Sequence, residues 1–298
     1  AIAVVILGQL SIKHRIGGDK RWTGATWTAP YLSGASNINL DGKWLISKSE
    51  IAEYLEIKDK WDYSFHSNED LTEYKNNSIG QIYIISLAKK IFFFESDIYA
   101  LIYFQIFFHI IISLVVFNLL KKGYQKILFL FLYILNPFIL YFVTFPFYYF
   151  WQVVPSFIVI LIIFNKNFKN WVFFIAPLLA FFYVVRPSLL FIGLYCLLIV
   201  AIKEDYKKAF IGLILFLVPI LYFKDSTRSK PWHTMLCGIG AYPNIHTNLN
   251  GPVDNIGRNY FLKKTGIKID TTPGTGNFYN PEIKKQYFDL LKQRYFEI

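Results

Sequence analysis

The sequence predicts an all-α integral membrane protein: a multi-spanning helical bundle with a long outer first loop and a small outer C-terminal domain of helices and loops. The 298-residue chain is 54% hydrophobic and 19% aromatic, which exceeds the averages of soluble proteins. Residues 97–223 form a long apolar block that is interrupted by three short basic segments. A helix that crosses a bilayer needs about 20 mostly apolar residues, so this block predicts several membrane helices.

The region before the bundle has two parts. Residues 1–10 (AIAVVILGQL) are too short to span a bilayer, and we interpret them as the outer half of a first transmembrane helix whose earlier part lies outside this sequence. Residues 11–95 are polar and predict an outer loop with interfacial helices. Within this loop, Arg15–Gly42 is rich in Gly, Ser, Thr and Asn, a composition that predicts irregular backbone.

Two helices are predicted inside the outer loop. Apolar residues recur at helical spacing over Leu45–Ile57, where Ser47 or Ser49 is placed to cap the N-terminus. This helix is compatible with a soluble surface and with a position on the membrane surface. Gly80–Phe94 is apolar but contains Lys89-Lys90, so we expect a half-buried or interfacial helix whose lysines reach the lipid headgroups.

Residues 96–223 predict the transmembrane bundle. The predicted helices are residues 97–120, two helices within 127–164, two within 171–202, and residues 209–223. Thr144-Phe145-Pro146 is the expected hairpin tip of the second segment, because proline disfavours a continued helix. Arg186-Pro187 is the expected turn of the third, since an arginine at the middle of a lipid-facing helix costs about 2.5–3.5 kcal/mol.

The basic loops predict the orientation of the bundle. Eight lysines lie in the segments that interrupt the apolar block: Lys121, Lys122, Lys126, Lys166, Lys169, Lys203, Lys207 and Lys208. Short loops rich in Lys and Arg stay in the cytoplasm. The hairpin tip, the Arg186-Pro187 turn, residues 11–95 and residues 224–298 are then all expected on the outer side of the membrane.

Residues 224–298 predict an outer C-terminal region without a membrane span. Its first part, Pro231–Pro252, is rich in Pro, Gly and Asn and is expected to be mostly loop. Asn280-Pro281-Glu282 then begins a helix that carries proline in its first turn. Because Ile298 is still in helical register, we expect that helix to continue in a longer chain.

The composition argues against several classes of function. The net charge of +11 is explained largely by the lysines of the predicted cytoplasmic loops, so nucleic-acid binding is not expected. Cys196 and Cys237 lie in different predicted regions, and they form neither a disulfide framework nor a metal cluster. No cofactor is expected from these residues, although a divalent metal stays open as an alternative.

Two side chains at the predicted outer face are suited to bind a substrate. The guanidinium of Arg186, at the bilayer boundary, matches a lipid phosphate or pyrophosphate because its fork binds two oxygens at once. The alternative is that Arg186 caps a helix end or extends to the interface. His233 closely follows the last predicted span, where it would orient an acceptor, contact a phosphate or pack the loop.

The order of these elements resembles that of a known enzyme family. A first helix precedes a long acid-bearing outer loop, and Gly80–Phe94 leads through Asp97-Ile98-Tyr99 into the bundle. Leu135-Asn136-Pro137 provides a break in mid-bundle, and a span begins at Val185-Arg186-Pro187-Ser188. Over about residues 1–223 the chain is similar to the GT-C glycosyltransferases, which include protein O-mannosyltransferases and the aminoarabinose transferases of lipid A.

The resemblance implies roles for individual residues. In that family an aspartate of the first outer loop is the base, and the donor is a sugar on a polyprenyl phosphate or pyrophosphate. The matching residue is Asp41, in Asn39-Leu40-Asp41-Gly42-Lys43-Trp44, with Asp19 as the alternative. A carboxylate there takes the proton of the acceptor hydroxyl. Arg186, together with Lys89 or Lys90, would neutralise the departing phosphate.

The sequence therefore predicts a membrane glycosyltransferase that moves a sugar from a polyprenyl-phosphate-linked donor to a cell-envelope acceptor. Its expected partners are the lipid-linked donor, membrane lipids and a glycan, lipid or protein acceptor. The expected location is a bacterial inner (plasma) membrane, with the large loops on the non-cytoplasmic side. The alternatives are an envelope enzyme similar to O-antigen polymerases or ligases, and a transporter or membrane scaffold without enzymatic activity.

Overall fold

The computed structural model describes residues 2–17, 25–38, 43–57, 61–66, 69–74, 78–93, 96–164, 172–203, 206–223, 253–270, 277 and 280–297. It is about 79% helical with almost no sheet, which confirms the all-α prediction. The chain divides into two compact units, Ala1–Thr227 and Arg228–Ile298.

The first unit is a helical bundle that carries one small sheet. Its α-helices are α1 (Ile2–Gly17), α2 (Ala25–Ser36), α3 (Lys48–Glu56), α4 (Gly80–Ile91), α5 (Asp97–Leu119), α6 (Gly123–Phe129), α7 (Pro137–Val143), α8 (Val153–Phe164), α9 (Val172–Val185), α10 (Leu190–Lys203) and α11 (Tyr206–Tyr222). A π-helical turn, Leu130–Ile134, follows α6, and short 3₁₀ turns precede α8 and α10. Strands β1 (Leu45–Ser47) and β2 (Leu71–Glu73) pair in antiparallel fashion.

Within the described residues, one helix is long and apolar enough to cross a membrane, namely α5 with its 23 residues. A second candidate is the bent pair formed by Gly123–Ile134 and Pro137–Val143, whose axes differ by 51°. Helices α9 and α10 are apolar but have 14 residues each, fewer than the about 20 that a perpendicular span requires. By length and composition, the described helices therefore supply one or two candidate spans.

Helix α5 lies at the centre of the first unit, where it contacts α1, α2, α4 and α7. The side chain of Ser96 caps α5 by accepting from the Tyr99 N–H at 3.5 Å, and it also donates to the Trp61 carbonyl. Gly8 of α1 lets that helix approach Ile106 of α5 closely. The cap and the close approach together fix both the start of α5 and its distance from α1.

The two predicted breaks within the bundle are confirmed. The Asn136 side chain accepts from the Phe138 N–H at 2.9 Å and caps α7, with Pro137 at the first helical position. Helix α9 ends before Arg186, whose extended backbone (φ −152°, ψ 113°) leads into the 3₁₀ turn Pro187–Leu189. This backbone follows from the sequence, because a residue that precedes proline is disfavoured in the helical region.

The expectation of irregular backbone over Arg15–Gly42 is wrong at residues 25–36, which form α2. Its small residues are what the packing requires: a methyl group on Gly34 would lie 2.4 Å from Trp44 Nε1. The same indole nitrogen donates to the Pro30 carbonyl at 3.0 Å. Tertiary packing thus outweighs the poor helix propensity of the Gly, Ser and Thr residues.

Helix α1 also extends to Gly17, past the predicted boundary at residue 10. The helix predicted over Leu45–Ile57 is shorter than expected, because residues 45–47 form β1 and pair with β2. The predicted cap is confirmed, since the Ser47 side chain accepts from the Glu50 N–H at 3.2 Å. The expected loop in Pro231–Pro252 lies outside the described residues.

Helix α4 confirms the predicted helix over Gly80–Phe94, and it packs inside the unit against α2, α5 and α9. Its first residue, Gly80, lies so close to the last turn of α9 that the two backbones are in contact. A Cβ added there would lie 2.7 Å from the Val185 nitrogen and 2.9 Å from the Val184 carbonyl carbon. Only a residue without a side chain allows this contact.

The second unit has a small core between two helices, Val253–Thr265 and Pro281–Glu297. The second of these confirms the helix predicted to start at Asn280-Pro281-Glu282. Phe261 and Tyr287 are fully buried and stack with ring centroids 4.3 Å apart. Tyr287 and Leu290, three residues apart on the second helix, both lie in this core.

We predict that Gly80→Ala destabilises the first unit, because the new methyl group has to push the backbone of α9 away. Overpacking of this kind costs about 1–3 kcal/mol. The matched control is Gly123→Ala, since Gly123 has nothing within 4 Å of its added Cβ. Thermal melting of the two purified variants, followed by size-exclusion chromatography, should show a lower midpoint for Gly80→Ala alone. Equal midpoints would contradict the close contact.

Candidate anion-binding site

Arg186 occupies the break between α9 and α10, and its side chain rests on Tyr148. Its Nη1 donates to the Tyr148 hydroxyl at 2.6 Å, and the guanidinium carbon lies 4.4 Å from the centroid of the same ring. Tyr148 lies in the turn that joins α7 to the 3₁₀ helix Phe150–Gln152. Two predicted turns of the bundle, Thr144-Phe145-Pro146 and Arg186-Pro187, therefore meet at this pair.

The charge of Arg186 is not neutralised by a carboxylate among the described residues. The ion pair found in that part of the chain joins Lys89 to Asp97. A guanidinium stays protonated at any physiological pH and has five N–H donors, of which Tyr148 takes one. Because Arg186 is half-buried, it offers a positive charge and open donors in a partly desolvated position. Such a position favours an anionic ligand.

A second tyrosine hydroxyl, that of Tyr31, lies within electrostatic range of this guanidinium. Tyr31 of α2 is buried and hydrogen-bonds Ser78, and it interacts electrostatically with Tyr74, Tyr148 and Arg186. Burial raises the pKa of Tyr148 to about 12, although the Arg186 charge acts to lower it. Burial also raises the pKa of Tyr31. Both phenols are therefore neutral near pH 7, and the site keeps the net positive charge of Arg186.

Aromatic rings hold these hydroxyl groups in place. Tyr31 packs against Trp44 at 4.8 Å and against Phe147 at 5.4 Å between ring centroids. Phe147 in turn lies 4.0 Å from Tyr148, and Tyr74 meets Trp44 edge-on at 4.8 Å. Residues of α2, of the β1–β2 region and of the turn after α7 thus form one set of aromatic contacts that ends at Tyr148, the partner of Arg186.

Gln81, the residue after Gly80, adds an unusual polar group to this region. Its side chain is fully buried, yet neither Nε2 nor Oε1 has a hydrogen-bond partner. An amide buried in this way costs free energy unless a ligand or water satisfies it. Gln81 belongs to the end of α4 that packs on the last turn of α9 through Gly80.

An apolar cleft of about 550 Å³ is formed by the helices that follow Tyr148 and Arg186 in the chain. It lies between α8 and α10 and is lined by Ser156, Val159, Phe191, Ile192 and Tyr195. Ser156 belongs to the first turn of α8 and Phe191 to the first turn of α10. The chain segments that lead into these two helices carry Tyr148 and Arg186. The cleft is open along one side, so an elongated apolar group can enter it sideways.

The predicted binding residue Lys89 lies at the other end of α4, where it forms an ion pair. Its Nζ is 2.8 Å and 2.9 Å from the two carboxylate oxygens of Asp97, and it donates to Ser36 Oγ at 2.7 Å. Nine residues separate Lys89 from Gly80, which is about 14 Å along a helix. The structure therefore places Lys89 apart from Arg186 rather than beside it.

The other predicted residues divide into two groups. Lys90 is exposed near the end of α4. Asp41, Asp19 and His233 lie outside the described residues. The described residues hold no group of three His, Cys, Asp or Glu side chains that could bind a metal ion.

Two residues of the site, Tyr148 and Tyr31, were not predicted from sequence, and neither was the buried Gln81 of α4. Tyr148 is one of several aromatic residues in Phe145–Trp151, and nothing in the spacing marks it. Tyr31 belongs to a helix that the composition did not predict. For Gln81 a signal existed, since a glutamine in the apolar run Gly80–Ile91 is an unusual polar group in a buried helix.

Comparison with known proteins gives no assignment. No protein family, no curated protein and no solved structure matches the chain.

We predict that Lys89→Met strongly destabilises the first unit, because it leaves the buried Asp97 carboxylate without its charged partner. Removing one member of a buried pair costs about 3–5 kcal/mol, and the partial exposure of Lys89 favours the lower end. The double variant Lys89→Met/Asp97→Leu removes both charges and should recover much of the loss. Chemical or thermal unfolding of the three proteins measures this. A single variant as stable as the parent would show that the pair contributes nothing.

Proposed function

We propose that this chain is a multi-spanning membrane glycosyltransferase of the GT-C type, integral to a bacterial inner (plasma) membrane. It moves a sugar from a polyprenyl-phosphate-linked donor to a cell-envelope acceptor. The observation that carries the proposal is the half-buried guanidinium of Arg186, which has no carboxylate partner among the described residues and precedes, in the chain, a helix that lines an apolar cleft. Phosphate and hydrocarbon are the two parts of such a donor lipid.

The membrane part of the proposal is supported by the outward-facing side chains of the bundle. Large apolar residues on several helices expose more than 60% of their surface: Phe131, Phe138, Phe174, Phe191 and Ile202. Soluble proteins rarely expose apolar patches of more than a few hundred Å². In a bilayer the same side chains contact lipid tails at no cost. Helices α9 and α10 then cross as two short arms on either side of the Arg186 break.

The donor phosphate is assigned to Arg186 and Tyr148. The guanidinium offers its remaining N–H groups to two phosphate oxygens, a charge-assisted arrangement stronger than neutral hydrogen bonds. The ring of Tyr148 fixes the plane of the guanidinium from one side. When the sugar departs, the phosphate gains negative charge, and a fixed cation beside it lowers the barrier.

The isoprenoid chain of the donor is assigned to the cleft between α8 and α10. Its lining is almost entirely apolar, with Ser156 and Tyr195 as the polar side chains. A lipid that places its phosphate at Arg186 enters this cleft with the first units of its tail. The remainder of the tail then stays among the lipids.

The base is assigned, on the resemblance, to Asp41 with Asp19 as the alternative. The carboxylate removes the proton from the acceptor hydroxyl while that oxygen bonds to the anomeric carbon of the sugar. The bond from that carbon to the phosphate oxygen breaks, and the lipid phosphate leaves with the electron pair. Lys90 and His233 stay candidates for contacts to the acceptor or the phosphate.

We predict that Arg186→Ala lowers the amount of polyprenyl-phosphate lipid that copurifies with the protein at least tenfold. Arg186→Lys keeps the positive charge but loses the paired N–H groups that bind two phosphate oxygens at once. It should therefore recover only part of the lipid binding. Lys121→Ala is the matched control, because it removes one positive charge from an exposed loop position. Native mass spectrometry of the three proteins measures the bound lipid. Unchanged lipid in Arg186→Ala would contradict the phosphate site.

We predict that Asp41→Asn lowers glycosyl transfer by about 10²–10⁴-fold while donor binding is retained, because a general base is lost and the lipid site is intact. The measurement is the profile of lipid-linked sugars in a deletion strain complemented with each variant. The donor is expected to accumulate both in the deletion strain and with Asp41→Asn. Normal transfer in this variant would move the assignment to Asp19, which the corresponding Asp19→Asn variant tests.

A further inference from the structure

A row of buried polar side chains follows one face of α5. Gln105, His109 and Ser113 are spaced by four residues, so they lie above one another on the helix. Their exposed fractions are 0%, 0% and 4%, although α5 is otherwise strongly apolar. Polar groups placed inside a bundle cost free energy unless each one is hydrogen-bonded.

The protein satisfies these side chains only in part. Gln105 Nε2 donates to the Phe147 carbonyl at 3.2 Å, and His109 Nε2 lies 3.4 Å from the Ile134 carbonyl. Gln105 Oε1, His109 Nδ1 and Ser113 Oγ have no partner. The Tyr133 hydroxyl and Trp151 Nε1, on side chains that pack against α5, share this property.

The π-helical turn explains why His109 finds a carbonyl here. The Phe138 N–H, which would bond the Ile134 carbonyl in a regular helix, donates to Asn136 Oδ1 instead. The Leu135 N–H reaches back to Leu130 at 2.9 Å. The Ile134 carbonyl is therefore free to accept from His109. Turns of this type occur often at functional sites.

Tyr133 and Trp151 both have ring contacts with residues of α5, and the unpartnered atoms have complementary hydrogen-bonding capacity. The His109 and Tyr133 rings are 5.1 Å apart, and Trp151 packs on Phe104 and Phe108 at 5.5 Å and 5.4 Å, next to Gln105. With Nε2 as donor, His109 Nδ1 is an acceptor, as is Gln105 Oε1. Trp151 donates only, and the two hydroxyl groups do both.

This combination of hydrogen-bond donors and acceptors indicates which kind of ligand fits the row. The row holds no charged side chain, so neither a metal ion nor a phosphate is matched. It needs a small neutral species that donates and accepts at several points over about 12 Å, the rise from residue 105 to residue 113. Water has these properties, and buried water typically makes about three hydrogen bonds to otherwise unsatisfied groups.

We propose that Gln105, His109 and Ser113 line a hydrated track inside the bundle, and that water is its ligand. The track starts beside Phe147, the neighbour of Tyr148, and continues along α5 to Ser113. The inference rests on the membrane placement of α5 in the proposed function, but not on the reaction that is proposed there. It predicts that a residue of the track reacts with water-borne reagents although it is buried in the bundle.

The test is thiol accessibility in lipid nanodiscs, in a background that carries Cys196→Ala and Cys237→Ser. Ser113→Cys changes one atom of the track. The matched control is Leu114→Cys, the next residue of α5, whose side chain is 53% exposed on the outside of the bundle. Lys122→Cys, in an exposed loop, gives the rate of a fully hydrated thiol. The reagent is Ag⁺, which is close to water in size, and mass spectrometry follows its binding.

We expect Ser113→Cys to bind Ag⁺ at least tenfold faster than Leu114→Cys. A Ser113→Cys rate as slow as that of Leu114→Cys would overturn the track and leave the membrane placement intact. A Leu114→Cys rate equal to that of Lys122→Cys would overturn the membrane placement and the track with it. Size-exclusion chromatography checks folding. If Ser113→Cys fails to fold, His109→Cys gives the same readout one helical turn earlier, with the same two overturning results.

Discussion

The ion pair of Lys89 with Asp97 is the contact on which the arrangement of the first unit depends. Both carboxylate oxygens lie within 2.9 Å of the ammonium group, and the Phe65 N–H donates to one of them at 3.0 Å. Lys89 is in the last turn of α4 and Asp97 in the first turn of α5, so each charge also suits the dipole of its own helix. With Ser36 as a further ligand of Lys89, the pair joins α2, α4, α5 and the segment 61–66.

This junction sets the position of a site that lies at the other end of α4. Once α4 is fixed at Lys89, its first residue can meet α9 only at one place, and the absence of a side chain at Gly80 allows backbone contact there. The next residue of the chain after Val185 is Arg186. Helix α4 is held by the Lys89–Asp97 salt bridge at one end and by the contact of Gly80 with α9 at the other. It thus supports the end of α9, which is followed by Arg186, the residue that donates to the Tyr148 hydroxyl.

Local signals in the sequence predicted the parts of the fold that are decided locally. The Asn136-Pro137 and Arg186-Pro187 breaks, the Ser47 cap and the helix that starts at Pro281 all follow from backbone chemistry within a few residues. Helix α2 could not be predicted in this way, because it depends on the close approach of Gly34 to Trp44.

The candidate site, like the fold, could be predicted where the signal is local and not where it depends on tertiary contacts. Arg186 stands out as a single charge in an apolar block, and that signal is present in the sequence. Its partner Tyr148 is 38 residues away and becomes a neighbour only through the folding of two turns toward each other. Lys89 is the converse case, since its proximity to Asp97 in the fold, as an ion pair, was not predicted from the sequence. The roles of Asp41, Asp19 and His233 stay predictions.

The open side of the cleft between α8 and α10 has a kinetic consequence in the proposed setting. A ligand that enters between two helices from the lipid phase moves in two dimensions and never leaves the bilayer. Its rate of arrival is then governed by its number per area of membrane and by membrane viscosity, and dilution of the surrounding aqueous medium has no effect. Growth temperature and acyl-chain composition, which set that viscosity, would become determinants of turnover for this protein.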